Sequence, residues 1–320
     1  MKKELGIFIL LVVLCAVTTF ENHRFLSAEN LINTANVIGL FGIFSIGAGI
    51  VIITAGIDLS VGSMIALIGM LLVMALTEWH WPWPLAVLFV LAVSMLLGLA
   101  HGVLITRFKM QPFIVTLCGL LLYRGIARFI ASDETKGFGD CAGFTTLQRW
   151  ASGNLLGLPM TFVLLIVISI IMWFVLHKSV YGRYLLAVGR NEEAARFSGI
   201  NTHSVIAGSY VLAGLLTGIS AILFAFYTNS ISPSTQGNFY ELYGIAAAVL
   251  GGCSLRGGEG SIIGILIGVT LLQVLQNLVN LLGIPSSLNF AVMGAVVLIG
   301  VLADQIFQNR ARKKVAQMAK

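Results

Sequence analysis

The sequence predicts an all-α, polytopic integral membrane protein with about ten transmembrane helices and both termini in the cytoplasm. Three observations carry that prediction. Of 320 residues, 58% are hydrophobic and 10% are charged, against about 25% charged residues in a soluble domain. The mean hydropathy is +0.96, which leaves too few polar groups to cover a water-facing surface. The Lys and Arg residues are spread unevenly between alternate connections of the apolar runs. A soluble enzyme, a nucleic-acid-binding domain and a disordered chain are excluded. The net charge of +6 takes its meaning from membrane sidedness, not from nucleic acid.

An apolar run of about 20 residues crosses a bilayer core of about 30 Å as a helix. The runs cover 5–20, 33–56, 61–77, 84–106, 113–131, 160–177, 205–228, 242–252, 261–282 and 288–306. The eighth is short and leads into Gly-rich polar sequence, as a short or broken helix near 242–260 would. With the N-terminus inside, ten crossings place 14 cations in the cytoplasm and 3 outside (Arg24, Lys136, Arg149), while Arg124 and Arg128 fall within the fifth run. One crossing more or fewer would invert part of the chain and spoil this split. Residues 1–20 also look like a secretory leader. A retained first helix is expected, because its removal would make the crossing number odd. Trp79, Trp81 and Trp83 surround the outer turn after the third span, where an aromatic belt belongs. The basic C-terminal tail suits an anionic lipid surface. Cys15, Cys118, Cys141 and Cys253 have no metal-ligand spacing and give neither a disulfide framework nor a metal site.

The whole chain, 1–320, reads as one membrane domain with two large loops. The outer loop, 132–159, is mildly acidic and Gly-rich, either a connector or part of a docking surface. The inner loop, 178–204, is too polar to span. Glu192 to Phe197 is helix-forming sequence with Asn191 as N-cap, Glu192 and Glu193 at the positive end, and Gly199 placed to stop it. Ala194 and Ala195 give that helix a small-residue face. The face either lets another protein's backbone approach closely or is simply solvated.

Polar groups inside the apolar chain each need a reason. Asp58 and Ser60, in the Gly56–Gly62 break, either cap the third helix or line a solute path. A second break, with Gly251 and Gly252 at its start and Arg256 and Glu259 within it, is either a tight inner turn or a gating or motor-contact element. Arg124 and Arg128 share a helix face. Arg128 can reach outward to Asp133 and Glu134, and Arg124 can bond backbone carbonyls, so both read as structural anchors. Gln273, Gln276, Asn277 and Asn280 form one polar stripe, for interhelical hydrogen bonds or for a hydroxylated solute. Asn289 and Phe290 could close a gate. His101 reads as a packed, hydrogen-bonded residue, and Gly214–Gly218 is a G-x-x-x-G suited to close helix packing.

Glu193-Ala194-Ala195 followed by Gly199 resembles the E-A-A-x-x-x-G coupling loop of ABC importer permeases. Gly182-Arg183, Ala187-Val188-Gly189 and Ser198-Gly199-Ile200 resemble the ribose/monosaccharide branch, as do Gly56-Ile57-Asp58-Leu59-Ser60-Val61-Gly62-Ser63, Phe113 to Leu117, Tyr123-Arg124-Gly125, and Ala248 to Gly252 with Gly257-Gly258. The likeness extends from about Asn30 to Asp304. Arg190 departs from it, standing where Gly is usual. The resemblance implies a sugar permease of the bacterial inner membrane that binds no cofactor itself. Its partners would be a second permease chain, identical or not, a cytoplasmic ATPase using ATP and Mg, and an extracytoplasmic sugar-binding protein. The residues agree, since no Gly-Lys-Ser/Thr cradle for nucleotide phosphates occurs. A nucleoside or autoinducer-type solute fits the same frame. The alternative from another class is an ion-coupled secondary transporter of a small polar solute, with Asp58 as its coupling site. An integral membrane enzyme has no side-chain cluster to support it.

Overall fold

Residues 2–139, 144–155 and 157–285, with scattered positions from 288 to 298, are described by the computed structural model. Twelve helices form within them. α1 (Lys2–Glu21) leads through a 3-10 turn (His23–Leu26) into α2 (Ala28–Ile53), α3 (Val61–Thr77), α4 (Trp83–Arg107) and α5 (Pro112–Ile130). α6 (Phe144–Ser152), α7 (Met160–His177), α8 (Val180–Arg190), α9 (Glu192–Phe197), α10 (Thr202–Thr228), α11 (Tyr240–Leu250) and α12 (Ile262–Leu281) follow. Among the described residues, six helices are long and apolar enough to cross a membrane: α2, α4, α5, α7, α10 and α12. α1 counted from Leu5, α3 and α11 are shorter apolar helices. The protein is therefore all-α and polytopic. Most of the tenth apolar run lies outside the described residues, as do Asn289, Phe290 and Cys141.

A helix that is apolar all round belongs in a protein core or in lipid, and burial separates the two. The most apolar window of α2 is 83% buried, whereas those of α5 and α7 are 28% buried. So α2 is the central post, packed on α7, α10, α11 and α12, while α5 and α7 present wide apolar faces outward. α4 and α10 cross closely because Gly98, Gly214 and Gly218 stand against Ser94 and the Tyr210 backbone. Such small-residue crossings replace the hydrophobic drive that lipid removes. Phe41 and Phe44 of α2 gather Phe224 and Tyr240 into an aromatic nest, with Phe44 and Tyr240 stacked at 6.0 Å.

Both large loops hold more structure than their sequence suggests. In 132–159, β1 (Lys136–Gly137) pairs antiparallel with β4 (Ser230–Ile231), and β2 (Asn154–Leu155) with β3 (Leu158–Pro159). Between them α6 buries Leu147 and Ala151, and Phe138 stacks on Phe226 at 4.5 Å. In 178–204 the expected α9 is preceded by α8, which Gly182 and Gly189 argue against on propensity. Ser179 caps it by accepting from the Gly182 N–H at 3.1 Å, and buried Leu185 and Val188 supply the packing that overrides propensity. α11 begins two residues earlier than the eighth apolar run, and its 11 residues reach about 16 Å, roughly half a bilayer core.

Candidate functional site

A series of polar groups runs from α9 through the bundle. Asn191 accepts from the Ala194 N–H at 2.9 Å, satisfying one orphan donor of α9. Gly199 has φ +83°, a left-handed turn that ends the helix without a Cβ penalty, and the Ile200 N–H closes it onto the Ala195 carbonyl at 3.1 Å. Thr202 donates to Glu192 at 3.1 Å, fixing α9 to the start of α10. Ala195 is buried inward. Glu193, Ala194 and Phe197 are left exposed.

A cavity of about 550 Å³ lies inward of α9. Its walls are Glu192, Glu193 and Arg196 from α9, residues 54–56 after α2, residues 105–106 and 109–112 around the α4–α5 turn, and His203, Ile206 and Tyr210 from α10. Beside this turn α8 meets the breaks in the bundle. The Gly258 N–H donates to the Ile53 carbonyl at 2.8 Å, and a Cβ on Gly189 would collide with that carbonyl and with Gly258. The segment that carries α9 thus rests directly on the end of α2 and on the turn after Gly251 and Gly252.

The Tyr210 hydroxyl donates to the Ile57 carbonyl at 3.1 Å and leads from the cavity into the Gly56–Gly62 break. Asp58 is 4% exposed and Ser60 is fully buried. Asp58 Oδ1 accepts from the Ser60 N–H at 2.9 Å and from its hydroxyl at 2.7 Å, a closed turn immediately before α3. Thr116 of α5 donates to the Ile57 carbonyl at 3.4 Å. His101 is 2% exposed. Its Nε2 pairs with the Tyr123 hydroxyl at 2.8 Å, and its Nδ1 has no partner.

Beyond Asp58 lies Glu241, which sequence reasoning missed. It is 8% exposed, and its Oε2 lies against Gly62, where an added Cβ would strike it. Arg124 lies within its electrostatic reach and donates to the carbonyls of Pro233 at 3.0 Å and Gln236 at 2.7 Å. Asn238-Phe239-Tyr240-Glu241 has the polar-x-x-Glu spacing of a helix start, the one signal that could have drawn attention to it.

The other predicted residues fall elsewhere. Arg128 forms a two-pronged pair with Asp133 at 2.9 and 2.5 Å, and this hydrogen-bonded cation holds the Asp133 carboxyl below the usual carboxylate range. Asn277 exchanges amide hydrogen bonds with Asn30 at 2.8 and 3.1 Å, tying α12 to α2. Gln273 is buried, Gln276 Oε1 is buried without a partner, and Asn280 is exposed. The stripe on α12 is therefore not one continuous polar surface: Asn277 answers α2, Gln273 is buried and Asn280 faces outward. Among the described residues no three His, Cys, Asp or Glu side chains are placed to hold a metal ion.

This arrangement provides buried neutral donors, carbonyls and self-satisfied carboxylates in a membrane bundle, with an exposed capped helix at one end. The family described as "Branched-chain amino acid transport system / permease component" matches residues 30–301. The chain belongs to that permease family. It is 38% identical to the ribose import permease protein RbsC of Bacillus subtilis over 304 residues, 95% of this chain and 93% of that one. Against the ribose import permease protein RbsC of Escherichia coli K12 the identity is 36% over 92% of each. The galactofuranose transporter permease protein YtfT of the same strain is 33% identical over 87% of this chain and 79% of its own. No solved structure matches the chain. The expected kinship with ribose-type permeases is borne out by the family and by these relatives.

Proposed function

We propose that this chain is the membrane-spanning subunit of an ATP-driven importer that passes a ribose-like monosaccharide across the bacterial cytoplasmic membrane. The observation that carries the reading is the likeness to ribose import permeases over more than nine-tenths of the chain. The family description speaks of branched-chain amino acids, but those solutes are zwitterions. A neutral polyol fits better a bundle whose buried Asp58 is already held by the N–H and O–H groups of Ser60.

In this reading ten crossings keep both termini and the 178–204 loop in the cytoplasm, and 132–159 faces outward. Two permease chains pair, a loaded sugar-binding protein docks outside, and a cytoplasmic ATPase with two sites binds ATP and Mg. α9 is the coupling helix. When the ATPases close, α9 moves, α8 moves with it, and Gly189 presses the shift onto Ile53 and Gly258. The breaks at 54–60 and 251–261 then move against α10, and the passage changes its open side. The ion-coupled alternative needs an available Asp58. The two hydrogen bonds that Ser60 gives it favour a fixed structural role.

The test is uptake in proteoliposomes. The chain with its ATPase and binding protein should accumulate labelled ribose only with ATP. The chain alone should accumulate none, even under a proton or sodium gradient. Gradient-driven accumulation by the lone chain would overturn the reading.

A further inference from the structure

The N-termini of α3 and α11 meet inside the bundle. A Cβ on Gly62 would strike the Gly237 carbonyl, and one on Gly237 would strike the Gly62 carbonyl. Each helix start presents unpaired N–H groups and about half a positive charge. Two such ends in contact repel, and low-dielectric surroundings sharpen the repulsion. Neither helix relieves it with an ordinary cap. Ser60 makes no side-chain cap bond to α3, and α11 starts from Phe239 with none.

Two carboxylates supply the missing charge. Asp58 closes the turn before α3 through Ser60. Glu241, the second residue of α11, reaches across the contact and sets its Oε2 against Gly62, where an added Cβ would strike it. Arg124 then offsets the surplus negative charge from α5 and clamps the carbonyls of Pro233 and Gln236, in the loop that feeds α11. With one guanidinium and two half-charged helix ends against two carboxylates, the joint is close to neutral. In transporters with discontinuous helices such ends hold anionic solute groups. Here the chain's own acids occupy them.

We infer that Glu241 is a positioning residue for transport: it latches α11 onto the start of α3, so that ATP-driven movement is converted into solute passage. The latch lies at the far end of the mechanical route, since α3 continues from the break that Gly189 and Gly258 press upon. It sets turnover and coupling, not the response to loaded binding protein. The inference rests on the importer reading above and extends it to a residue with no assigned role.

The test uses the complete importer in proteoliposomes with labelled ribose. Changing Glu241→Ala should lower the uptake rate about tenfold and ribose moved per ATP hydrolysed about threefold, while the binding-protein concentration for half-maximal ATPase stimulation stays within about twofold. Basal ATPase activity without binding protein should rise about twofold, as expected when the motor is released from its load. Glu241→Gln keeps a polar oxygen beside Gly62 without the charge and should fall between, and Glu241→Asp should recover most of the coupling. Arg124→Gln alone strands the acid and should resemble Glu241→Ala, yet add little in the Glu241→Gln background. Normal uptake and coupling in Glu241→Ala overturn the inference. So does a loss in both Glu241→Ala and Glu241→Gln that merely tracks the amount of assembled complex, or one confined to the binding-protein response. If the wild-type complex moves no ribose, the sugar reading fails instead, and the basal ATPase comparison still decides the latch.

Discussion

The junction under α8 and the joint between α3 and α11 both bury polar backbone, and they satisfy it with different materials. Under α8 the contact is backbone on backbone: Gly258 donates to Ile53 at 2.8 Å, and Gly189 lies against both. Between α3 and α11 the backbones also touch, at Gly62 and Gly237, but Asp58, Glu241 and Arg124 surround the contact. The first junction transmits displacement through hard contact and tolerates no added atom. The second accepts a change of shape at its acids but not a change of charge.

The largest difference is expected at Gly189. Gly189→Val forces a branched side chain into the Ile53 carbonyl. Overpacking of this kind costs about 1–3 kcal/mol, and here it also displaces the α8–α9 unit. ATP-dependent ribose uptake should fall about a hundredfold, mostly as lost ATPase association in a pull-down. Near-normal association would show that α8 does not rest on α2 as described.

An intermediate effect is expected at Asp58. Asp58→Asn keeps an acceptor for Ser60 and removes the charge facing the α3 start, so uptake should fall about three- to tenfold with association intact. Asp58→Leu leaves the Ser60 N–H and hydroxyl without their acceptor and should lose about as much activity as Gly189→Val. Wild-type uptake in Asp58→Asn would remove charge from the account of this joint, and equal losses in Asn and Leu would remove the Ser60 hydrogen bonds from it.

The smallest effect is expected at the surface pair of Arg128 and Asp133, whose side chains are 53% and 49% exposed. Arg128→Gln should change uptake by less than about twofold, as screened surface pairs do. The pair lowers the folded-state pKa of Asp133. Its stabilising contribution is therefore present above the unfolded value near 3.9 and is lost only as pH falls through the depressed value. Between about pH 6 and 8 wild type and variant should show parallel thermal unfolding. A divergence in that window would mean that Arg128 has another partner.

Much of this architecture is legible from residue order. Apolar length gives the long helices, and Asn191 with Gly199 brackets α9, because caps and stops are local chemistry. The Gly56–Gly62 break shows itself through its glycines and its acid. α8 does not, since its evidence lies in Leu185 and Val188 finding a core, which only the assembled bundle provides. The small strands are two residues each and leave no periodicity to read. Glu241 looks like a lone acid in an aromatic stretch until Gly62, remote in sequence, is placed beside it. Tyr210 and Ile57 are 153 positions apart, and no local pattern announces their bond. The Asn30–Asn277 pair is half visible: the α12 stripe signals interhelical bonding but does not name the helix that answers.

In the ten-crossing arrangement proposed above, the 11 residues of α11 leave about half a hydrocarbon thickness to be covered by 229–239, a stretch pinned at β4 and by Arg124. That stretch is a built-in reserve of slack. A tilt of the short rod can be taken up as torsion in a few linking residues, without unwinding any turn. Shape change inside the hydrocarbon is thereby spared the several kcal/mol that each exposed amide would cost there.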